Sequence, residues 1–475
     1  MSHDNDLAQM RMPLASIHEE CGVFAIQNHS NAAKKCLMGL HALQHRGQES
    51  FGIATSSDNG EFSVYHGSEY VNSIFEKPEA RLLRGTLSVG HVRYSTSGSK
   101  PVAQPIVVDC KFGKLAIAHN GNLTNAGSLR RKLISKGCTF LSDIDTEVIG
   151  HLIATNPSDS FIDCVIPAIG EVKGAYSLVM MTNNTLVGVR DAAGIRPLVL
   201  GTVDGAYVMA SETCALDIVK AEFVRDIQPG ELVVINRSNE LTSTYPFPPL
   251  KRSFCIFEYI YFARPDSVVD NVPVYEARKN IGAELAVESP PPDNVDMVVP
   301  VPDSGIPAAM GYATKSGVPF EFGIIRNHYV GRTFIQPTDG GRRMGVEMKH
   351  NANSSILRGK NIVLVDDSIV RGTTLREVIE LLRKAGTKTI HLRISSPPTL
   401  HSCFYGIDTP ERSKLVANKL SLQELNTMLQ CDSIAFISID GLYKAVCGAP
   451  RDHSSPQYCD ACFTGMYPVG EMERH

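Results

Sequence analysis

The chain is 475 residues long, with 46 Lys and Arg against 50 Asp and Glu, a formal net charge of -4, and 43% hydrophobic residues. These values exclude wholesale disorder, and with no Lys/Arg run along one face they exclude a general nucleic-acid binder. No uninterrupted apolar stretch of about 18 residues occurs, which argues against a helical membrane span, and the opening MSHDNDLAQMRMPLASIHEE lacks the apolar core of a secretory signal. The expectation is a cytoplasmic enzyme of roughly two to four domains. Its 12 cysteines are expected to be reduced, and so structural, catalytic or metal-bound.

Up to about Arg237 the chain alternates short apolar runs with Gly, Asn and Asp: GVFAI, FSVYHG, LSVGHVRY, LAIAHNG, YSLVMM, TLVGVR and PLVLG. Period-2 alternation with turn-rich joints predicts a β-rich layered half, interrupted by helices near Ala32–Leu43 and Asp145–Ala154. The polar stretch Arg237–Ser253, with three prolines, reads as a linker or as a surface strand followed by a loop. Beyond it, DMVVPVP, FEFGII, NIVLVDD and TIHLRIS read as strands with helices between them. One of these is the amphipathic stretch Thr373–Ala385, closed by Gly386. Strand–helix alternation predicts a parallel, doubly wound α/β sheet.

The most informative segment is NIVLVDDSIVRGTT, Asn361–Thr374. An apolar strand ends in two carboxylates, and a Ser/Gly/Thr-rich loop then opens a helix. Backbone N–H groups and hydroxyls at a helix N-terminus suit a phosphate monoester, and paired carboxylates at a strand's C-terminal edge suit a Mg²⁺-bound sugar polyphosphate. An Asp-Asp pair alone equally serves to start a turn and cap the helix. Taken whole, the run resembles the 5-phosphoribosyl-1-pyrophosphate (PRPP) loop of type I phosphoribosyltransferases.

That resemblance implies that Asp366 and Asp367 face the metal and ribose, and that Ser368, Val370, Arg371, Gly372, Thr373 and Thr374 hold the 5′-phosphate. It also implies a second face of the cleft at Asp303–Ser304–Gly305. Ser304 is expected to join the two aspartates at one Mg²⁺ per subunit, and the polar, aromatic stretch Arg326–Pro337, with its Gly hinge, reads as a closing lid or as a plain surface loop. Lys349 is expected near the phosphates. The segment around it reads GVEMKHN where bacterial relatives tend to read GVRMK, so Glu347 puts an acid in place of a base and His350 replaces an apolar residue.

Five N-terminal motifs occur in order: CGVFAI at Cys21, HALQHRGQESFGIA at His41–Ala54, GHVRYSTSG at Gly90–Gly98, AHNGNLTN at Ala118–Asn125 and SDIDTEV at Ser142–Val148. Each is weak alone; a Cys before a small apolar run is usually a buried strand thiol. Together they resemble the glutamine amidotransferase domain of the N-terminal-nucleophile (Ntn) hydrolases, a four-layer αββα sandwich, over Cys21–Asp217. The resemblance implies that the Cys21 thiol attacks the glutamine carboxamide while its own α-amine acts as base, so that residues 1–20 are a propeptide to be removed. It further implies Arg93 on the glutamine α-carboxylate, Asn120 and Gly121 as oxyanion hole, and Asp145 on the substrate amine.

The two halves in one chain, with RDAAGIRPLVLG, SETCALD and FEYIYFARPDS between them, resemble the family of glutamine-dependent PRPP amidotransferases over nearly all of Cys21–Pro468. The implied fold is an Ntn-hydrolase domain, 21–250, followed by an α/β type I phosphoribosyltransferase domain, 251–475, with a C-terminal tail. The implied reaction takes L-glutamine, PRPP and water to 5-phosphoribosylamine, glutamate and pyrophosphate, with ammonia passed through an internal channel. Inhibition by purine nucleotides and a homotetramer are further family expectations.

Cys459 and Cys462 form a CxxC, a spacing open to zinc, redox chemistry or no role, although zinc would usually want a second close pair. In the family's iron–sulfur subgroup, resemblance assigns Cys255, Cys403, Cys459 and Cys462 to one [4Fe–4S] cluster per subunit, with a structural role. Cys36, Cys110, Cys138, Cys164, Cys214, Cys431 and Cys447 are expected to be ordinary buried or semi-buried thiols. A hexosamine-forming amidotransferase would lack VLVDDSIVRGTT, and a non-enzymatic PRPP sensor would lack Cys21 or Asn120–Gly121.

Overall fold

The computed structural model describes residues 18–19, 21–57, 59–93, 103–327 and 350–470. The expected propeptide (apart from residues 18–19), most of the expected lid, Glu347 and Lys349 lie outside them. The chain forms two compact units. One gathers His18–Ala277, Cys403–Asp408 and the tail from Arg451; the other comprises Arg278–Ser402 and Thr409–Pro450. The division thus falls at residue 277 rather than near 250, and the C-terminal tail packs with the first unit.

Two antiparallel sheets form the first unit. One has seven strands, in the order Glu222–Asp226, Val199–Val203, Ala206–Ala210, Cys21–Gln27, Leu87–Arg93, Ser50–Ser56 and Phe62–Gly67. The other has six: Leu241–Thr244, Leu232–Ile235, Leu186–Arg190, Gly174–Met181, Gly113–Leu123 and Ile106–Cys110. Between them lies a dry layer of small and medium side chains, including Val23, Ala25, Ala54, Val89, Ala116, Ala118 and Met209. On the outer face of the seven-stranded sheet, Phe24, Ile26 and Phe51 meet Cys36, Leu37 and Leu40 of the Ala32–Ala42 helix. The six-stranded sheet is covered likewise by Leu129, Val148, Ile149 and Val165 from three helices. This is the expected αββα order, with each fully buried Leu, Ile or Phe contributing about 1.5–3 kcal/mol.

The helices Ala32–Ala42 and Thr146–Ala154 stand where periodicity placed them. Ala126–Ser135, Phe161–Glu171 and Thr213–Ile218 are additional. Phe161–Glu171 carries Pro167 inside it, a residue that ordinarily argues against a helix. Arg237–Ser253 is the surface-strand alternative: Leu241–Thr244 pairs with Leu232–Ile235 before the proline-rich loop.

In the second unit four strands pair in parallel, in the order Met297–Pro300, Asn361–Asp366, Thr389–Ile394 and Ser433–Phe436. The helix Thr373–Lys384 buries Leu375, Val378, Ile379 and Leu382 against this sheet, and Gly386, with φ +93°, ends it in the left-handed region. FEFGII differs from expectation. Ile324–Arg326 pairs antiparallel with His350–Ala352 outside the main sheet, and only Phe320 bridges to Val298. Ser433–Phe436 was too short an apolar run to stand out. Among the described residues no helix is long and apolar enough to cross a membrane.

Candidate active sites

Cys21 opens a central strand of the seven-stranded sheet and pairs directly with Arg93, which pairs on its other side with Ser50. Gly47 closes over this point: a Cβ there would lie 2.4 Å from the Arg93 backbone nitrogen, so HRGQES needs glycine for close approach. Cys21 is 6% exposed. Two residues on, the Val23 N–H donates to Ser211 Oγ (3.0 Å), and the same oxygen receives Asn120 Nδ2 from the other sheet (3.5 Å). Ser211 therefore ties the Cys21 strand to the Asn120 strand, a role that SETCALD did not signal. Across the sandwich the His91 ring meets the His119 carbonyl oxygen at 3.1 Å. Burial, reinforced by the Arg93 charge, pushes the His91 pKa down to about 3, so that ring is neutral.

Asn120 and Gly121 sit within the strand Gly113–Leu123, and Asn120 is fully buried. Asp145 precedes the helix Thr146–Ala154, and its Oδ2 accepts from the Leu123 N–H (2.9 Å) with His119 Nδ1 at 3.6 Å. Burial raises the Asp145 pKa, but the His119 ring and the Leu123 and Thr146 N–H groups outweigh it and hold the carboxyl below its usual range. The sequence-predicted residues Cys21, Arg93, Asn120, Gly121 and Asp145 are thus linked through strand pairing, Ser211 and Leu123.

The four cysteines assigned together also converge, all in the first unit. Cys255 is the register partner of Cys459 in a short parallel pair, and the Tyr405 N–H approaches Cys403 Sγ at 3.3 Å. The buried pair Arg451–Asp460 (2.5 Å) anchors the tail that carries Cys459 and Cys462. Burial pushes the Cys255 thiol up to about 12 and raises Cys459 and Cys462 strongly, and the charges of the other cysteines of the set raise each further. Among the described residues no group of three or more His, Cys, Asp and Glu is placed to hold a metal ion. Of the other thiols, Cys36, Cys164, Cys214 and Cys431 are buried and Cys110 and Cys138 partly so, but Cys447 is exposed, contrary to expectation.

In the second unit the strands Met297–Pro300 and Asn361–Asp366 end side by side, Pro300 beside Val365. Gly305 lets the turn after the first strand pack on the second: a Cβ there would lie 2.7 Å from the Val365 carbonyl oxygen. Ser304 Oγ donates to Asp367 Oδ1 at 2.5 Å, and Ser368 Oγ to Asp367 Oδ2 at 2.7 Å. Burial first, and the Asp367 carboxylate second, push Asp366 well above the usual carboxylate range. Ile369 and Val370 turn into the core, Arg371 is partly covered, and Gly372 (φ +78°) leads into the helix with no side-chain cap. Thr373 and Thr374 are exposed at its N-terminus, where the first N–H groups lack intrahelical partners. His350 lies in the short strand His350–Ala352, paired with Arg326.

A model of the glutamine amidotransferase domain matches residues 91–217, and a model of the phosphoribosyl transferase domain matches residues 276–395. An amidophosphoribosyltransferase of Rhizobium etli is 47% identical over 471 residues, 97% of this chain and 94% of its own length. The chain belongs to the amidophosphoribosyltransferase family. The family member of Bacillus subtilis is 43% identical, with 97% of this chain and 96% of that protein covered. A solved glutamine PRPP amidotransferase from B. subtilis, complexed with ADP and GMP, superposes with a TM-score of 0.88 at 43% identity, covering 95% of this chain and 98% of that one. A second, described as the allosteric regulatory enzyme of purine biosynthesis, gives 0.89 at 42% identity, covering 96% and 97%. The chain is thus a glutamine-dependent PRPP amidotransferase with a glutaminase domain followed by a phosphoribosyltransferase domain.

Proposed function

We propose that Cys21 is the glutaminase nucleophile and Asp366–Thr374 the PRPP site. The observation that carries the first assignment is the pairing of Cys21 with Arg93, with Ser211 joining their sheet to Asn120. Once residues 1–20 are removed, the Cys21 α-amine takes the thiol proton as sulfur attacks the glutamine carboxamide carbon. Asn120 Nδ2 and the Gly121 N–H receive the developing oxyanion, a term of about 3–4 kcal/mol. The intermediate expels ammonia, and water then cleaves the thioester to glutamate. Arg93 holds the substrate α-carboxylate, and Asp145, kept ionised by its surroundings, holds the ammonium.

In the second unit the residues suit a divalent cation. Ser304, Asp366 and Asp367 supply only oxygen ligands, and the mutual repulsion of the two carboxylates is relieved by a cation. Mg²⁺ bound there would neutralise pyrophosphate. The chain's own part is to orient PRPP: the uncapped helix N-terminus after Gly372, with Ser368, Thr373 and Thr374, receives the 5′-phosphate, and Lys349 assists. Ammonia then displaces pyrophosphate at C1 with inversion. Purine nucleotides are proposed as inhibitors and a homotetramer as the assembly.

The four thiols suit a [4Fe–4S] cluster: burial keeps Cys255, Cys459 and Cys462 protonated unless a cationic core faces them, and such a core spaces its thiolates farther apart than a single ion does. When bound it would tie three chain segments together. The test uses protein purified without oxygen, measuring pyrophosphate release with glutamine or ammonium, and iron with acid-labile sulfide. Cys21→Ala is expected to abolish glutamine-dependent release and to retain ammonium-dependent release. Glutamine-dependent release surviving in Cys21→Ala would sink the nucleophile assignment, and protein active with glutamine but lacking iron would sink the cluster.

A further inference from the structure

We infer that Gly406 and the Asn122–Phe404 hydrogen bond are positioning elements for the oxyanion strand, an inference that rests on the proposed role of Asn120 and Gly121. Gly121 takes φ +143° in mid-strand, and a Cβ there would lie 2.1 Å from the Ala175 carbonyl oxygen. Its backbone is also met by a segment distant in sequence. A Cβ on Gly406 (φ +94°) would lie 2.7 Å from Gly121 Cα and C and 2.9 Å from its oxygen. Asn122 Nδ2 donates to the Phe404 carbonyl oxygen at 3.0 Å, and Arg196 Nη2 reaches the Gly406 carbonyl oxygen at 3.5 Å. The Gly121 Cα and the carbonyl that follows it are therefore bounded by Gly406, the Cα also by the Ala175 carbonyl, and the strand is latched one residue later by Asn122, so the Gly121 N–H is held by the atoms bonded next to it.

The physical reason this matters is the steepness of oxyanion stabilisation. A donor contributes fully only when it lies within hydrogen-bond distance of the charge that develops, and a misplacement of about 1 Å costs on the order of a hundredfold. A wider residue at 406 would force either its own segment or the Gly121 backbone to shift. The same segment begins at Cys403, so the four-thiol site and the glutaminase centre share one stretch of backbone.

The experiment compares Gly406→Ala, Asn122→Ala and, as reference, Asn120→Ala in the full chain purified without oxygen. Removal of residues 1–20 is verified by mass. For the first two, kcat with glutamine is expected to fall roughly tenfold to a hundredfold while KM for glutamine stays within about twofold, because Arg93 and Asp145 are untouched. Ammonium-dependent pyrophosphate release and iron content should match the unmodified enzyme, which separates positioning from misfolding. Asn122→Ala keeps the backbone free of new bulk and carries the test if Gly406→Ala does not fold. Unchanged kcat in Asn122→Ala, or a raised KM with kcat preserved, overturns the inference while Asn120→Ala still abolishes glutamine use. Normal glutamine turnover in Asn120→Ala would instead overturn the oxyanion assignment beneath it.

Discussion

In the first unit Cys21, Arg93, Asn120 and Gly121 all lie inside paired β-strands, whereas in the second Ser304 and Ser368–Thr374 follow strand ends and only Asp366 closes one. Strand register fixes the first group: shifting Cys21 against Arg93 by one residue would turn its side chain to the other face. The second group is held by hydrogen bonds among its own side chains, by Gly305 against Val365 and by a helix N-terminus. A thiol attacking a carboxamide needs a fixed oxyanion donor. A site that must admit a metal-bound polyphosphate and release pyrophosphate gains from loops at the C-terminal edge of a parallel sheet.

Asp367→Asn probes that difference most severely. Asp367 accepts from both Ser304 and Ser368, so Asn there removes the charge of a proposed metal ligand and one of the two acceptor oxygens that join the loops. Pyrophosphate release is expected to fall about a hundredfold or more with glutamine and with ammonium alike. Hydrolysis of glutamine at Cys21 without PRPP should continue at its basal rate. A selective loss with glutamine only would mean that the two sites are not divided between the units as described.

Glu212→Gln tests the rigidity of the strand-held site. Glu212 is fully buried and accepts from Arg46 Nε, His45 Nε2 (2.6 Å), Ser267 Oγ (2.6 Å) and the Arg264 N–H (2.9 Å). Arg46 also reaches Glu258 (2.7 Å) and precedes Gly47, which packs on Arg93. Burial raises the Glu212 pKa, yet Arg46 and His45 outweigh it and hold the carboxyl far below its usual range. Gln at this position leaves Arg46 undercompensated, and a loss of about 3–5 kcal/mol at pH 7 is expected. Because the folded-state pKa is depressed, this contribution is complete above the unfolded value of about 4.3 and fades as pH falls below it. The gap between the denaturation midpoints of Glu212→Gln and the unmodified chain should therefore begin to narrow below about pH 4 and close only as pH falls through the far lower folded-state pKa. A gap independent of pH would assign the effect to packing.

Much of both sites was legible because chemistry and backbone demand coincide there. Asn361–Thr374 carries an apolar strand, two carboxylates and a helix start in one run, and the structure places them so. Less legible were contacts made by residues whose local sequence is unexceptional. Ser211 sits between two sheets, and Gly406 lies 285 residues from Gly121 in a loop of no distinct pattern. The unit boundary was hidden for the same reason: Cys403–Asp408 and the tail return to the first unit through pairings such as Cys255 with Cys459, which no periodicity announces. Short strands such as Ser433–Phe436 gain their identity from the sheet they join rather than from β propensity.

Ser421→Ala is the mildest test, and it asks how far the loop-held site depends on local support. Ser421 and Glu424 form a capping box on the helix Leu422–Leu429: the Glu424 N–H donates to Ser421 Oγ (3.3 Å) and the Ser421 N–H to Glu424 Oε2 (2.8 Å). Leu425 and Leu429 bury this helix on the sheet, and its Met428 Cε lies 2.8 Å from where a Cβ on Gly372 would stand. The cap thus secures the helix that floors the turn into Thr373. Removing the hydroxyl leaves an unpaired N–H at an exposed helix start, with an expected cost of about 1 kcal/mol in denaturant unfolding. Because Leu425 and Leu429 remain seated, KM for PRPP should shift by no more than about twofold. A larger shift, with the stability loss no greater than expected, would show that Met428 sets the Gly372 turn directly, and that the phosphate loop is as tightly registered as the strands around Cys21.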